Sequence, residues 1–277
     1  MNTGFIGTGS MGTILIKSFI KSRALRPNEI VATNRTLSKA EQLATEFPGL
    51  LVADSNQEVA ASCDLLFLCI KPTEFQQVID EISSIVRPNQ QIISITSPVM
   101  IDTLEQRLPA KIAKVIPSIT NFLLSGPMLC IYGNRMKEDD IESLERLLSQ
   151  ISHPVRISEK HTRVSSDISS CGPAFFALLL ERFMEAAVAE TGIDPEHASL
   201  LATQMLYGTG LLLTCGEWTP GTLQQQVAVP GGITAQGLHL LENRIGDMFH
   251  QLFRITHAKY EEDVEKVAAM LQPQLSD

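Results

Sequence analysis

A chain of 277 residues, 44% apolar and 19% charged, has the balance of a folded globular protein and is long enough for two domains that each bury a core. Its formal charge of -9, with no long Lys/Arg run, lacks the basic face that phosphate neutralisation requires, so no nucleic-acid partner is expected. The five cysteines (Cys63, Cys69, Cys130, Cys171, Cys215) form no C-x-x-C pair and the histidines no H-E-x-x-H, so reduced thiols and no metal site are expected.

Taken in chain order, the first residues carry no basic region ahead of their apolar run, which argues against a signal peptide. The most apolar stretch, 174–180, is stopped by Glu181-Arg182 well short of a membrane span. A cytoplasmic protein without a membrane partner is expected. From residue 2 to about 157, β-rich runs at 3–6, 29–32, 65–69, 91–95, 112–116 and 128–132 alternate with helical patterns at 11–22, 36–46, 73–85, 100–107 and 137–149. That rhythm predicts β-α-β units: an α/β N-terminal domain of the Rossmann type with a mainly parallel sheet. After His153-Pro154-Val155 helical periods dominate to about residue 272, so the chain divides near 158 into a dinucleotide-binding domain (1–158) and an all-α C-terminal domain (159–277). In the second, Gly172-Pro173 opens a helix, Thr191-Gly192 closes it, and Asp194-Pro195 starts the next as N-cap and first helical residue. These helices are apolar on nearly all sides and need cover on nearly all sides. Dimerisation supplies it; the competing reading is a self-contained bundle core.

Gly7-Thr8-Gly9-Ser10-Met11-Gly12 has the form G-x-G-x-x-G between the first strand and the helical pattern at 13–20. There the first glycine permits a tight turn, the second admits a diphosphate to the backbone, the third lets helix and strand approach, and the helix N-terminus offers amide donors. Where NAD enzymes place an acidic residue for the ribose 2′-hydroxyl, this chain has Asn34-Arg35-Thr36, which can receive a 2′-phosphate, so NADP(H) is the expected cofactor. Lys71-Pro72 follows the strand at 65–69, at the carboxyl edge of the sheet where ligands of such folds bind.

With Asn56 and Glu58, Ser169-Ser170-Cys171-Gly172-Pro173-Ala174 and Pro230-Gly231-Gly232-Ile233-Thr234 added, the chain resembles the pyrroline-5-carboxylate reductase family over nearly its whole length. The resemblance implies hydride transfer from NADPH to the C=N carbon of 1-pyrroline-5-carboxylate, a small imino acid, giving L-proline, in a homodimer or higher homo-oligomer whose partner helps finish the pocket. It implies that Gly231, Gly232, Ile233 and Thr234 bind substrate, that Thr234 acts at the ring nitrogen and that Glu217 supports it. From the residues alone, 230–234 is a glycine turn before a helix at 235–243, with amides suited to a carboxylate. On that reading Thr234 is an N-cap and Glu217 a surface carboxylate. The cofactor positions carried over are Gly7, Thr8, Gly9, Ser10, Met11, Gly12, Asn34, Arg35, Thr36, Asn56, Lys71 and Pro72.

Three segments depart from the family's pattern, all near its reactive end: Ser97-Pro98 replaces Ala-Gly, Pro117-Ser118-Ile119-Thr120 replaces a P/T-N-T-P run, and Val229 replaces the serine before Pro-Gly-Gly. In this the chain is similar to a divergent subgroup named for late-competence genes of spore-forming bacteria. The alternative function is therefore a non-catalytic or weakly active NADP-binding paralogue with a regulatory role. A β-hydroxyacid dehydrogenase would need a lysine proton donor on the helix that Gly172 opens, and 172–189 contains none.

Overall fold

Short apolar runs flanked by turns become the central strands because both faces of a parallel sheet are covered and every side chain is buried. The computed structural model describes residues 2–271. Its strands are β1 (Thr3–Ile6), β2 (Ile30–Thr33), β3 (Leu51–Val52), β4 (Leu65–Leu68), β5 (Gln91–Ser94), β6 (Lys111–Ile116), β7 (Pro127–Tyr132) and β8 (His153–Arg156), in one sheet of order β3-β2-β1-β4-β5-β6-β7-β8. β1 runs parallel to both β2 and β4, and the one antiparallel pair is β6 with β7. β1, β2 and β4 are buried at every position.

Six helices cover the sheet: α1 (Ser10–Lys21), α2 (Ser38–Glu46), α3 (Asn56–Ser62), α4 (Phe75–Ile82), α5 (Ile101–Arg107) and α6 (Glu138–Leu148). Leu15, Ile16 and Phe19 of α1, Leu43 of α2, and Ile141 and Leu144 of α6 fill one face around the stacked rings of Phe5 and Phe67, 5.0 Å apart. Val59 of α3, Phe75 and Ile79 of α4, and Ile101 and Leu104 of α5 fill the other. β2 starts one residue later than the pattern at 29–32 predicts, because Glu29 is held in a turn: its carboxylate accepts from the Arg26 amide at 2.7 Å and pairs with the Arg26 guanidinium. Two elements at the sheet edges and one short helix go beyond the predicted set. β8 contains Pro154, tolerated because the strand is an edge; β3 has two residues; and α3 has seven, opened by Ser55, which accepts from the Glu58 amide while Glu58 accepts from the Asp54 amide.

Beyond β8 come α7 (Thr162–Ser166), a π-helical segment at Asp167–Cys171, α8 (Gly172–Thr191), α9 (Pro195–Cys215), α10 (Pro220–Val227), α11 (Ile233–Ile245) and α12 (Met248–Leu271). Two compact units result: one runs to Pro173 and resumes at Ile255, the other is Ala174–Arg254. Residue 158 marks the end of the strand pattern, while the last part of α12 returns to the sheet unit, where Val267 and Leu271 join the face covered by α3, α4 and α5. In the helical unit, Asp194 caps α9 by accepting from the Glu196 and His197 amides, as its sequence predicts. Ala198 and Ala202 are the only buried apolar side chains described there, while Phe183, Leu201 and Tyr207 are each more than three-fifths exposed. A self-contained bundle core is therefore not what this unit has. By length and composition α9 is also the one described helix apolar enough to cross a membrane.

Within the sheet unit, a buried polar network fixes the segment after β5. Lys114 of β6 has no exposed surface and donates to Glu159 at 2.6 Å and to the Ser97 carbonyl at 3.2 Å. The same Glu159 oxygen accepts from the Ile101 amide at 3.1 Å, and Tyr260 of α12 donates to the Ser97 carbonyl at 3.2 Å. Burial lowers the Lys114 pKa, which Glu159 opposes. Glu159→Ala should cost about 2–4 kcal/mol in urea unfolding, because it strands a buried cation, whereas Lys114→Met should cost distinctly less; equal losses would contradict the pairing.

Candidate functional site

Three parallel strands with β1 in the middle deliver their carboxyl ends to one edge of the sheet, and the loops leaving them enclose a cleft of about 500 Å³. Gly7 and Gly9 come from the loop after β1, Asn34, Arg35 and Thr36 from the loop after β2, Asn56 from the start of α3, and Lys71 and Glu74 from the turn after β4. The loop after β1 is shaped by two glycines that leave no room for a side chain, Gly7 and Gly12. Gly7 has φ of +99°, and a Cβ on it would lie 2.4 Å from the Cys69 carbonyl oxygen. A Cβ on Gly12 would lie 2.2 Å from the Gly7 carbonyl oxygen, so α1 seats directly on its own loop. A Cβ on Gly9 would meet nothing within 4 Å, which leaves that side open to a ligand.

The N-terminus of α1 begins at Gly9 without a side-chain cap and with no acidic residue in its first turn. Its amides, together with those of Ser10 and Met11, are therefore suited to an anion. Thr8 is almost fully buried, and its hydroxyl Oγ1 has no protein partner. Open space over Gly9, an uncapped helix start and an orphaned hydroxyl fit a dinucleotide's diphosphate at this loop.

Asn34 also has a task within the protein. Its Oδ1 accepts from the Thr8 amide and its Nδ2 donates to the Thr36 carbonyl, both at 3.0 Å, so its carboxamide ties the glycine loop to the end of β2. Arg35 and Thr36 line the same cleft. Arg35 is 81% exposed and pairs with Glu74 at 2.6 Å. Asn56 donates to Glu81 at 2.6 Å. Pro72 opens the single turn Pro72–Glu74, in which Glu74 accepts from the Lys71 amide at 3.1 Å. Burial pushes the Cys69 thiol far above its ordinary range, so this cleft residue stays neutral.

The remaining predicted residues belong to the helical unit. Gly231 has φ of +73°, and the Gly232 amide donates to the Val229 carbonyl at 2.9 Å, making the turn that precedes α11. Gly232, not Thr234, is the N-cap, because α11 starts two residues earlier than the pattern at 235–243; Thr234 is its second residue, and no side chain caps the helix. Ile233 and Thr234 are exposed, as is Glu217, which lies between α9 and α10. The sequence did not single out Glu74, whose only signal is a helix-start pattern, Glu81, which lies near the end of α4, or the Lys114 network, whose partners are far apart in the chain.

Of the segments that depart from the family's pattern, Pro117-Ser118 is held by two hydrogen bonds. The Ser118 hydroxyl donates to the Ser169 carbonyl at 2.9 Å and the Ser170 hydroxyl to the Pro117 carbonyl at 3.1 Å. Next to them, Asp167 is buried against Arg163 at 2.8 Å and accepts from Thr256 at 2.7 Å.

The glycine geometry separates packing from binding. Gly12→Ala should lower stability by about 1–3 kcal/mol in thermal unfolding, since the loop must shift. Gly9→Ala should leave stability unchanged yet weaken calorimetric binding of NADPH more than roughly tenfold; retained binding would contradict the loop's assignment.

Comparison with known proteins agrees with this architecture. Residues 2–98 match the family described as NADP oxidoreductase coenzyme F420-dependent, and residues 159–263 match pyrroline-5-carboxylate reductase dimerisation. The chain is 43% identical to ComE operon protein 4 of Bacillus subtilis over 96% of its own length and 98% of that protein's. It is 30% identical to pyrroline-5-carboxylate reductase 3 of Danio rerio, over 86% of this chain and 83% of the relative. In fold it is similar to the Plasmodium falciparum pyrroline carboxylate reductase solved with NADP bound, with a TM-score of 0.81 at 24% identity, covering 98% of both chains. Identity of 30% to a pyrroline-5-carboxylate reductase over most of both chains, with the dimerisation match at 159–263, identifies the chain as a member of the pyrroline-5-carboxylate reductase family.

Proposed function

We propose that this NADP-dependent oxidoreductase acts on a C=N bond in a cyclic imino acid, 1-pyrroline-5-carboxylate, and yields L-proline. The observation that carries the substrate assignment is the turn at 230–234: Gly231 in the left-handed region, followed by a 13-residue helix that starts with no side-chain cap and no acidic residue in its first turn. Such a start suits the carboxylate of a small imino acid. Bound in the cleft after β1, the coenzyme supplies the hydride.

The chain's own groups supply position and proton control. First-turn amides of α11 hold the carboxylate, and the Thr234 hydroxyl meets the ring nitrogen, where it can donate or accept as that atom changes protonation. Glu217 supports the protonated state of the nitrogen. Hydride addition to the protonated C=N carbon makes one C–H bond and leaves the proton on nitrogen as a secondary amine, so no covalent bond to the protein is required. A second copy of the chain covers the exposed Phe183, Leu201 and Tyr207, in keeping with the dimerisation family matched by residues 159–263. The protein works in the cytoplasm.

A second reading has specific support. Identity to ComE operon protein 4 is 43%, against 30% to the Danio rerio reductase, and Ser97-Pro98, Ser118 to Thr120 and Val229 fall at the reactive end of the family's pattern. On that reading the chain binds NADPH and regulates rather than turns over.

Following NADPH oxidation with 1-pyrroline-5-carboxylate decides between them. The reductase predicts turnover in the parent that falls at least roughly tenfold in Thr234→Ala; NADPH binding without turnover favours the regulator. Arg35→Ala should lose about tenfold of the preference for NADPH over NADH, the worth of one charge-assisted contact, and an unchanged preference would remove the 2′-phosphate assignment.

A further inference from the structure

The pair Arg35 and Glu74 lies across the mouth of the cleft, not beside it. In the sheet β1 is flanked by β2 and β4. Arg35 stands two residues beyond β2, and Glu74 lies in the turn after β4. Their contact, Nη1 to Oε1 at 2.6 Å, therefore spans the carboxyl end of β1, from which Gly7 and Gly9 emerge, and all four residues line the same cleft. The two ends are unlike. Glu74 is a fixed post: its second oxygen accepts from the Lys71 amide at 3.1 Å, and its side chain is 26% exposed. Arg35 is the arm, 81% exposed on a long flexible stem.

We propose that the Arg35–Glu74 ion pair is a latch over the coenzyme cleft, and that Glu74 is a positioning residue that restrains Arg35 against the entry of either coenzyme. This rests on the assignment of the cleft to NADP(H). A dinucleotide that lies along the glycine loop has to part the pair. When the ligand carries a 2′-phosphate, Arg35 exchanges one anion for another; when it does not, the opening goes uncompensated. The latch thus weakens both coenzymes by the same opening cost, and the new contact between Arg35 and the 2′-phosphate alone favours NADPH. Lys39 and Lys71 also line the cleft, as do Asp54 and Glu81, so the local charges nearly balance and the pairing of Arg35 becomes the deciding difference.

Calorimetric titration of the full chain with NADPH and with NADH, separately and without imine, tests this. Glu74→Gln keeps an oxygen that can accept from the Lys71 amide, so the turn survives; an unchanged unfolding midpoint checks that. The latch predicts that Glu74→Gln tightens both coenzymes by the same factor, roughly two- to fivefold for an exposed ion pair, and that the gain shrinks at high salt. It also predicts that Arg35→Ala tightens NADH by a similar factor while weakening NADPH. No change in either coenzyme with Glu74→Gln, tightening of NADPH alone, or weaker NADH binding in Arg35→Ala would each overturn it. Absence of imine turnover would leave these constants untouched and would count against the proposed substrate instead.

Discussion

The contact on which the site depends is the one between Gly12 and the carbonyl of Gly7, where a single added carbon would sit 2.2 Å from the oxygen. Because nothing stands between them, the first turn of α1 is drawn onto the end of β1, and the helix presents bare amides where the loop after β1 opens. Gly7 can adopt its left-handed conformation because it has no Cβ, and Asn34 then fastens the loop from the β2 side through the Thr8 amide. The chemistry expected of the cleft is thus a consequence of two missing side chains and one carboxamide.

The two units reach stability by different routes. The sheet unit has apolar clusters on both faces and closes the second with the end of α12, while Lys114, itself paired with Glu159, and Tyr260 hold the carbonyl of Ser97 from two sides. This matters for function because the segment after β5 is one of those that depart from the family's pattern, and it is rigidly supported rather than loose. The helical unit has long, apolar helices and almost no buried side chains of its own. Its amphipathic logic is completed only by something outside the chain, as a dimerisation segment requires.

Much of this was legible in the sequence. The central strands were readable because full burial on both faces makes them short, continuous apolar runs, and the G-x-G-x-x-G loop because each glycine has a separate steric reason. Asp194-Pro195 announced the start of α9 for a local reason as well, cap plus first residue. What escaped was either marginal or non-local. β8 was hidden by Pro154, which only an edge strand accommodates; α3 was hidden by its length, although Ser55 and Glu58 carry a capping pattern that marks it. Lys114, Glu159 and Tyr260 are separated by 45 residues or more, and no periodicity links a buried ion pair across such spacing. Asn34 lies in the cleft lining, and its hydrogen bonds to Thr8 and Thr36 carry no periodic signal in the sequence.

On the proposed function, the loop at 7–12 holds a diphosphate while Arg35 and Thr36 hold the extra phosphate of the same coenzyme. A crystal structure of the chain grown with NADPH tests it most directly. The account predicts density for the diphosphate against the first-turn amides of α1 and for the 2′-phosphate beside Arg35, with the Asn34 to Thr8 bond intact. A coenzyme seated elsewhere, or a cleft without density at saturating NADPH, would contradict it.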